Sequence, residues 1–219
     1  MKKTSFNDHW TCKKQGDSAD PNAVTLPHDA MLFEKRDRKA ATAGACGYFP
    51  GGKYEYAKRF FLPEAERGRT HILEFEAVYK NAKVYLNGSL AAERPYGYSN
   101  FYVPLDEYLR FGEENEITVI ADNSAVPNSR WYSGSGIYRN VSLYSGHSSH
   151  ILPDGLLIST RNNDTVHVKV GANGGEEIRV RICDGDSVAA ESAAPVLEGA
   201  AEVSLHVTAP RLWDAEHPE

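Results

Sequence analysis

Residues 128–143 read NSRWYSGSGIYRNVSL. The first five residues crowd polar side chains, a guanidinium and two aromatic rings into one short run. The last seven alternate apolar and polar side chains, which is the period-2 pattern of a half-buried strand. Between them, the SGSG run of residues 133–136 allows a tight bend, because glycine reaches positive φ at little cost. The stretch therefore predicts a strand preceded by a loop tip rich in rings and hydrogen-bond donors.

The chemistry of this loop tip suits a sugar. The apolar C–H faces of a sugar stack on aromatic rings, and its hydroxyl groups need fixed donors and acceptors. The same residues are also typical of a buried tryptophan and arginine that cover the end of a β-sandwich. The residues alone leave both interpretations open.

The first two thirds of the chain reads as an all-β domain. Many short alternating segments are separated by Gly, Asn and Pro turns, and no convincing helix is present, which favours a β-sandwich. The Asn87-Gly88 pair is a strong hairpin signal, and Trp10 is a candidate core anchor. Strands are predicted at residues 5–11, 53–62, 71–78, 82–86, 96–103, 116–121 and 137–143, with a single helical turn at 106–109.

The remainder of the chain predicts a second domain. The small polar run SGHSSH at residues 145–150 is a natural joint, and beyond it the composition shifts toward Val, Ile, Thr and Ala. Five regularly spaced strands favour an immunoglobulin-like sandwich that lacks one strand. We expect a first domain over 1–145, a linker over 146–150 and a second domain over 151–219. The five strands are predicted at 155–159, 165–170, 177–182, 187–191 and 202–208.

Composition excludes several classes of protein. The net charge of -6 argues against a nucleic-acid or anionic-membrane partner. No apolar run is long enough to span a membrane, and the polar residues 4–9 do not continue a signal peptide. The odd number of widely spaced cysteines, Cys12, Cys46 and Cys183, favours free thiols in a reducing compartment. We therefore expect a cytoplasmic protein.

No cofactor or metal motif is found in the sequence. The eight histidines form no H-x-H or H-E-x-x-H pattern, and the cysteines lack C-x-x-C spacing, so a zinc site is not predicted. The DGD run at residues 184–186 fits a hairpin turn better than a calcium loop. The sequence predicts no metal site and no cofactor.

Six motifs carry a resemblance to a known family. The run RWYSGSGIYRNVSL resembles the end of the N-terminal sugar-binding domain of glycoside hydrolase family 2, the family of bacterial β-galactosidases and β-glucuronidases. Five other motifs follow that family's order: LPHD at 26–29, KYEYAKRFFLP at 53–63, VYLNG at 84–88, YGYSNF at 96–101 and PRLW at 210–213. Their order and spacing cover nearly the whole chain.

The resemblance implies a fold for this chain and places catalysis in a different domain. It implies a jelly-roll, galactose-binding-domain-like sandwich followed by an immunoglobulin-like β-sandwich that is truncated before its last strand. Retaining enzymes of this family use two carboxylates about 5 Å apart, and both would belong to a catalytic barrel absent from this chain. We therefore assign no catalytic residue.

The resemblance also names candidate sugar-binding residues. The segment ahead of GIYR would reach the terminal sugar, which makes Asn128, Ser129, Arg130 and Trp131 candidates. Asp29 of the LPHD segment is a weaker one, because a carboxylate that accepts backbone N–H bonds at a turn is an equal alternative. The expected ligand is a terminal β-galactoside, and a homo-oligomer is left open.

Two other functions remain open on the sequence. One is a free-standing, lectin-like carbohydrate-binding module, which would bind sugar on its own and have a complete second domain. The other is an adhesion or scaffold protein, which would have a secretory signal and exposed apolar patches.

Overall fold

The chain forms two compact units in the computed structural model, which describes residues 1–126 and 128–216. The first unit is Lys2–Gly146, and the second contains the described residues from His147 onward. Every strand pair in these ranges is antiparallel. The predicted all-β class is confirmed. No helix in the described part of the chain is long and apolar enough to cross a membrane.

The described residues of the first unit form two sheets. The larger has the strand order β3-β2-β4-β9-β6-β7 and the smaller has the order β1-β10-β5-β8. Strands of the larger sheet are β2 (Trp10–Lys14), β3 (Asn22–Val24), β4 (Lys53–Phe61), β6 (Ala82–Leu86), β7 (Ser89–Arg94) and β9 (Glu114–Asp122). Strands of the smaller sheet are β1 (Lys2–Ser5), β5 (Thr70–Phe75), β8 (Phe101–Pro104) and β10 (Val141–Gly146).

One hydrophobic core joins the two sheets. In β4 of the larger sheet, Tyr54 and Tyr56 are buried and alternate with more exposed neighbours. In β5 of the smaller sheet, Leu73 and Phe75 are fully buried. All four belong to a single cluster of contacting side chains. The two sheets therefore bury their facing sides against each other, as in a sandwich.

Two local predictions in this unit are confirmed. Trp10 is fully buried in the core, and its indole N–H donates to the Phe6 carbonyl at 2.8 Å. Asn87 and Gly88 connect β6 to β7, with φ angles of 51° and 85°. Positive φ at both central residues is the conformation that an Asn-Gly hairpin turn requires.

Other predicted boundaries are wrong. The strand predicted at 5–11 is divided between β1 and β2, and His9 between them has a φ of 59°. The strand predicted at 96–103 begins only at Phe101, and the strand predicted at 137–143 begins only at Val141. The reason in the second case is that the Ile137 carbonyl accepts from the N–H of His28 instead of from a neighbouring strand.

The short helices were not predicted. In the described part of the chain, three 3₁₀ helices span Ala30–Phe33, Ala43–Cys46 and Glu64–Glu66, and the first two lie in the long connection between β3 and β4. The helical turn predicted at 106–109 is a hydrogen-bonded turn, in which the Tyr108 N–H donates to the Leu105 carbonyl.

Two smaller sheets are formed by residues 147–216, the part of the second unit that the structure describes. Their strands are β11 (His150–Arg161), β12 (Thr165–Asn173), β13 (Glu177–Asp184), β14 (Ser187–Pro195) and β15 (Ala200–His206). They form the orders β11-β12-β15 and β13-β14, around a core that includes Val168, Val170, Val203 and Leu205. The five predicted strands are present with shifted ends, and residues 184–186 lie at the β13–β14 hairpin. The last three residues of the predicted domain lie outside the described range, and the absence of a final strand stays a prediction.

Candidate functional site

The base of the loop between β9 and β10 is hydrogen-bonded to two other segments. The N–H of Ala30 donates to the Ser135 carbonyl at 2.8 Å, next to the bond between His28 and Ile137. On the other side, the backbone groups of Gly136 and Tyr79 exchange two hydrogen bonds of 2.9 Å. The SGSG run is thus held between the LPHD segment and the chain that follows β5.

The Asp29 carboxylate fixes this junction. Its Oδ1 accepts from the backbone N–H of Met31 at 3.0 Å and of Ser135 at 2.8 Å. Its Oδ2 accepts from the hydroxyl of Tyr132 at 2.8 Å. Burial, together with this hydrogen bond, raises the pKa of Tyr132, so the hydroxyl remains a donor at neutral pH. Asp29 therefore cross-links the loop to the LPHD segment, which is the structural alternative that the sequence left open.

Removal of the Asp29 carboxylate should destabilise the first unit. In Asp29→Ala, the buried N–H of Ser135 loses its acceptor and Tyr132 loses its partner, so we expect a loss of about 2–4 kcal/mol in the free energy of unfolding. Urea denaturation followed by circular dichroism measures this loss. Asp29→Asn is the matched control: its amide oxygen still accepts from both backbone groups, and it should lose about 1 kcal/mol. Equal losses in both variants would contradict the assigned role.

Asn128 is also part of the framework of the loop. Its Oδ1 accepts from the Tyr79 hydroxyl at 2.8 Å and from Lys80 Nζ at 3.3 Å. Its Nδ2 donates to Asn123 Oδ1 at 2.5 Å, and Asn123 in turn donates to the Gly134 carbonyl at 2.9 Å. Of the predicted sugar-binding residues, Asn128 is thus the one that fixes where the loop tip begins.

The tip itself is open to solvent. Ser129 Oγ donates to the Trp131 carbonyl at 3.0 Å, which closes a local turn. The Trp131 side chain is 63% exposed. Arg130 is exposed as well, and its guanidinium has no hydrogen-bond or ion-pair partner among residues 1–126 and 128–216. The interpretation of a tryptophan and arginine buried as a core lid is therefore wrong.

Sequence reasoning missed the aromatic residues around the loop. The ring of Phe49 lies edge-on to Tyr132 at 5.2 Å between centroids. On the other side, Tyr98 contacts Tyr79 at 5.2 Å and Tyr96 at 5.7 Å. The YGYSNF motif brings Tyr96 and Tyr98 to the site, where both are about half exposed. The motif is visible in the sequence, but nothing local indicates that its tyrosines meet Tyr79.

This arrangement brings together groups that are suited to contact a sugar. The loop presents an exposed indole and an exposed guanidinium, which suit a sugar ring and its hydroxyl groups. Both oxygens of the Asp29 carboxylate at the loop base accept hydrogen bonds. In the described ranges, no group of three or more His, Cys, Asp or Glu side chains could hold a metal ion.

Comparison with known proteins gives a consistent result. Residues 43–146 match the family model described as glycosyl hydrolases family 2, sugar binding domain. The chain is 33% identical to a β-galactosidase of Bacteroides ovatus over 91% of its own length and 25% of that protein. It is 27% identical to a β-glucuronidase of Bacteroides fragilis over 96% of its own length and 32% of that protein. The chain thus spans a quarter to a third of these relatives.

Solved structures give the same picture. A glycosyl hydrolase family 2 member from Bacteroides cellulosilyticus superimposes with a TM-score of 0.81 at 29% identity, covering all of this chain and 32% of the other. A β-glycosidase from Bacteroides vulgatus superimposes with a TM-score of 0.82 at 26% identity, covering all of this chain and 30% of the other.

Proposed function

Because the chain belongs to glycosyl hydrolase family 2 through its sugar-binding domain, we propose that it supplies a non-catalytic edge of a retaining glycosidase active site. In this proposal, the loop at residues 128–131 forms part of the rim, and a catalytic barrel provides the opposite wall and both carboxylates. The coverage of only 25% of the β-galactosidase relative supports this division. The family match supports a sugar as the ligand.

One observation carries the proposed role of the loop. Trp131 is 63% exposed although the loop beneath it is fixed by Asn128 and Asp29. An apolar ring held out to solvent on a rigid base is poor packing but a good stacking surface for a sugar. A prearranged surface also costs little ordering entropy when the ligand binds.

The proposed substrate is a terminal β-linked sugar, with a β-galactoside first. The Bacteroides ovatus relative, a β-galactosidase, supports that order. The β-glucuronidase of Bacteroides fragilis supports the second choice, a β-glucuronide, whose carboxylate could pair with Arg130 in a bidentate manner. Comparing the affinities for the two sugars tests this order, since a site specific for a carboxylate would bind the β-glucuronide far more tightly than the β-galactoside.

A cytoplasmic location is also part of the proposal. Its support is that Cys12 and Cys46 are buried free thiols and that Cys183 is an exposed free thiol. Exposed free thiols persist in reducing compartments.

The 219-residue chain should not hydrolyse glycosides. Positioning by one loop cannot replace a proton donor and a nucleophile about 5 Å apart. Purified chain should therefore release no nitrophenol from nitrophenyl β-galactoside or β-glucuronide, and should bind each sugar weakly, because a half-site leaves most of the ligand in water. Turnover by the chain alone would contradict the proposal that both catalytic carboxylates lie in a separate barrel. Tight binding would instead favour the lectin-like module.

A further inference from the structure

A cavity of about 580 Å³ lies against strands β2 and β3 and the segment that follows them. Its lining includes His28, Phe33, Glu34 and Tyr54, none of which belongs to the loop at residues 128–131. We propose that this cavity is a second sugar site, which binds a neutral pyranose through its hydroxyl groups and one C–H face. The proposal goes beyond the loop and does not depend on it.

Among the described residues, two buried polar atoms in the cavity wall have no hydrogen-bond partner. Tyr54 is only 2% exposed, and neither its hydroxyl nor Oε2 of Glu34 makes a hydrogen bond of normal geometry within the described residues. Both groups line the same cavity, and burial, followed by the neighbouring Glu34 carboxylate, raises the pKa of Tyr54, so the hydroxyl keeps its proton at neutral pH. Leaving a buried donor and acceptor unpaired costs free energy.

The pair of atoms specifies the kind of group that would satisfy both. A ligand hydroxyl can donate to Glu34 Oε2 and accept from Tyr54 at the same time. An ammonium group could donate to the carboxylate, but it could not accept from the phenol. An anion could accept from the phenol, but the carboxylate would repel it. A hydroxyl group is therefore the matching chemistry.

The charges around the cavity also favour a neutral ligand. Lys14 Nζ is 2.5 Å from Oε1 of Glu34, and Lys13 is paired with Glu55 at 3.1 Å. Burial lowers the pKa of His28, so its ring is neutral at pH 7. Lys13 and Lys14 are thus each paired with a carboxylate, and Asp17 adds a further negative charge to the lining, so an anionic ligand would be repelled there.

An exposed aromatic ring provides the apolar contact. Phe33 is 78% exposed, and its ring stacks on His28 at 5.2 Å between centroids with an interplanar angle of 6°. The His28 ring is itself held by a 2.8 Å hydrogen bond between Nδ1 and the Tyr56 hydroxyl. Phe33 is therefore a braced flat surface beside the two unpaired polar atoms, as stacking on a pyranose requires.

Titration of the 219-residue chain with methyl β-galactopyranoside and methyl β-glucopyranoside tests the proposal by amide NMR. We expect shifts at residues 12–14 and 22–25, which line or adjoin the cavity. Tyr54→Phe removes only the hydroxyl and should weaken this binding about three- to tenfold. Phe33→Ala should weaken it by a similar factor. Phe61→Ala, an equally conservative loss of a ring that is 59% exposed at the far end of β4, should leave it unchanged.

Several outcomes would overturn the proposal. One is the absence of shifts at residues 12–14 and 22–25 with either sugar up to about 0.1 M, a range that covers weak monosaccharide affinities. Others are shifts confined to residues 128–132, or unchanged binding by both Tyr54→Phe and Phe33→Ala. Because shifts at residues 128–132 report the loop separately, failure of the cavity proposal is distinguishable from failure of the proposed function. Circular dichroism of each variant verifies the fold.

Discussion

Gly136→Ala is expected to destabilise the first unit by about 3–5 kcal/mol, as a sum of overpacking and backbone strain. Gly136 has a φ of 130°, and an added Cβ would lie 2.1 Å from the Tyr56 hydroxyl and 3.0 Å from the His28 carbonyl. Tyr56 cannot move aside, because it is fully buried and its hydroxyl is bonded to His28. The substitution should thus open the junction that holds the loop.

Gly68→Ala separates the effect of overpacking from the effect of backbone strain. Gly68 also has positive φ, 81°, but nothing lies within 4 Å of an added Cβ. Gly68→Ala should therefore lower the free energy of unfolding by about 1 kcal/mol, from backbone conformation alone. Urea unfolding of both variants measures the difference. If Gly136→Ala lost no more stability than Gly68→Ala, the close packing of the loop against Tyr56 would be contradicted.

Arg130→Ala and Trp131→Ala are expected to lower kcat/KM strongly in the longer enzyme that the proposed function assumes. Each variant removes a stacking surface or charge-assisted hydrogen bonds, which is worth about 2–4 kcal/mol, or roughly 30- to 1000-fold. Both side chains are exposed, so the fold should be retained. The measurement is steady-state hydrolysis of nitrophenyl β-galactoside by the purified variants.

Matched controls distinguish a specific effect of Arg130 and Trp131 from the general loss of an exposed side chain. Phe61→Ala removes another exposed ring, and Arg59→Ala removes another exposed arginine, one that is paired with Glu116 at 3.0 Å. Neither should change kcat/KM by more than about twofold, since surface substitutions away from a site have small effects. Wild-type kinetics in both loop variants would assign Arg130 and Trp131 no part in catalysis.

Much of the fold could be predicted from local sequence. The Asn87-Gly88 hairpin follows from the φ angles that these residues tolerate, and the burial of Trp10 follows from its size and apolar character. The strands β4, β9 and β12 follow from alternation, because each buries one face in a core. These features depend on neighbours in sequence.

The arrangement of the site depends on contacts that are distant in sequence. Asp29 meets Ser135 across 106 positions, and Tyr79 meets Asn128 across 49. No period or motif encodes these pairings, so the sequence left Asp29 open between a ligand and a structural carboxylate, and it suggested Asn128 only as a ligand. The residues at 137–140 failed as a predicted strand for the same reason: alternation was present, but the Ile137 carbonyl is bonded to the LPHD segment.

The most direct test of the loop as a sugar-binding edge uses the indole signals of the three tryptophans. In a nitrogen–proton NMR titration of the chain with methyl β-galactopyranoside, the Trp131 indole signal should shift. The signals of Trp10, which is fully buried, and of Trp213, which is 70% exposed in the second unit, should stay in place. An unmoved Trp131 signal, or an equal shift of Trp213, would contradict the account.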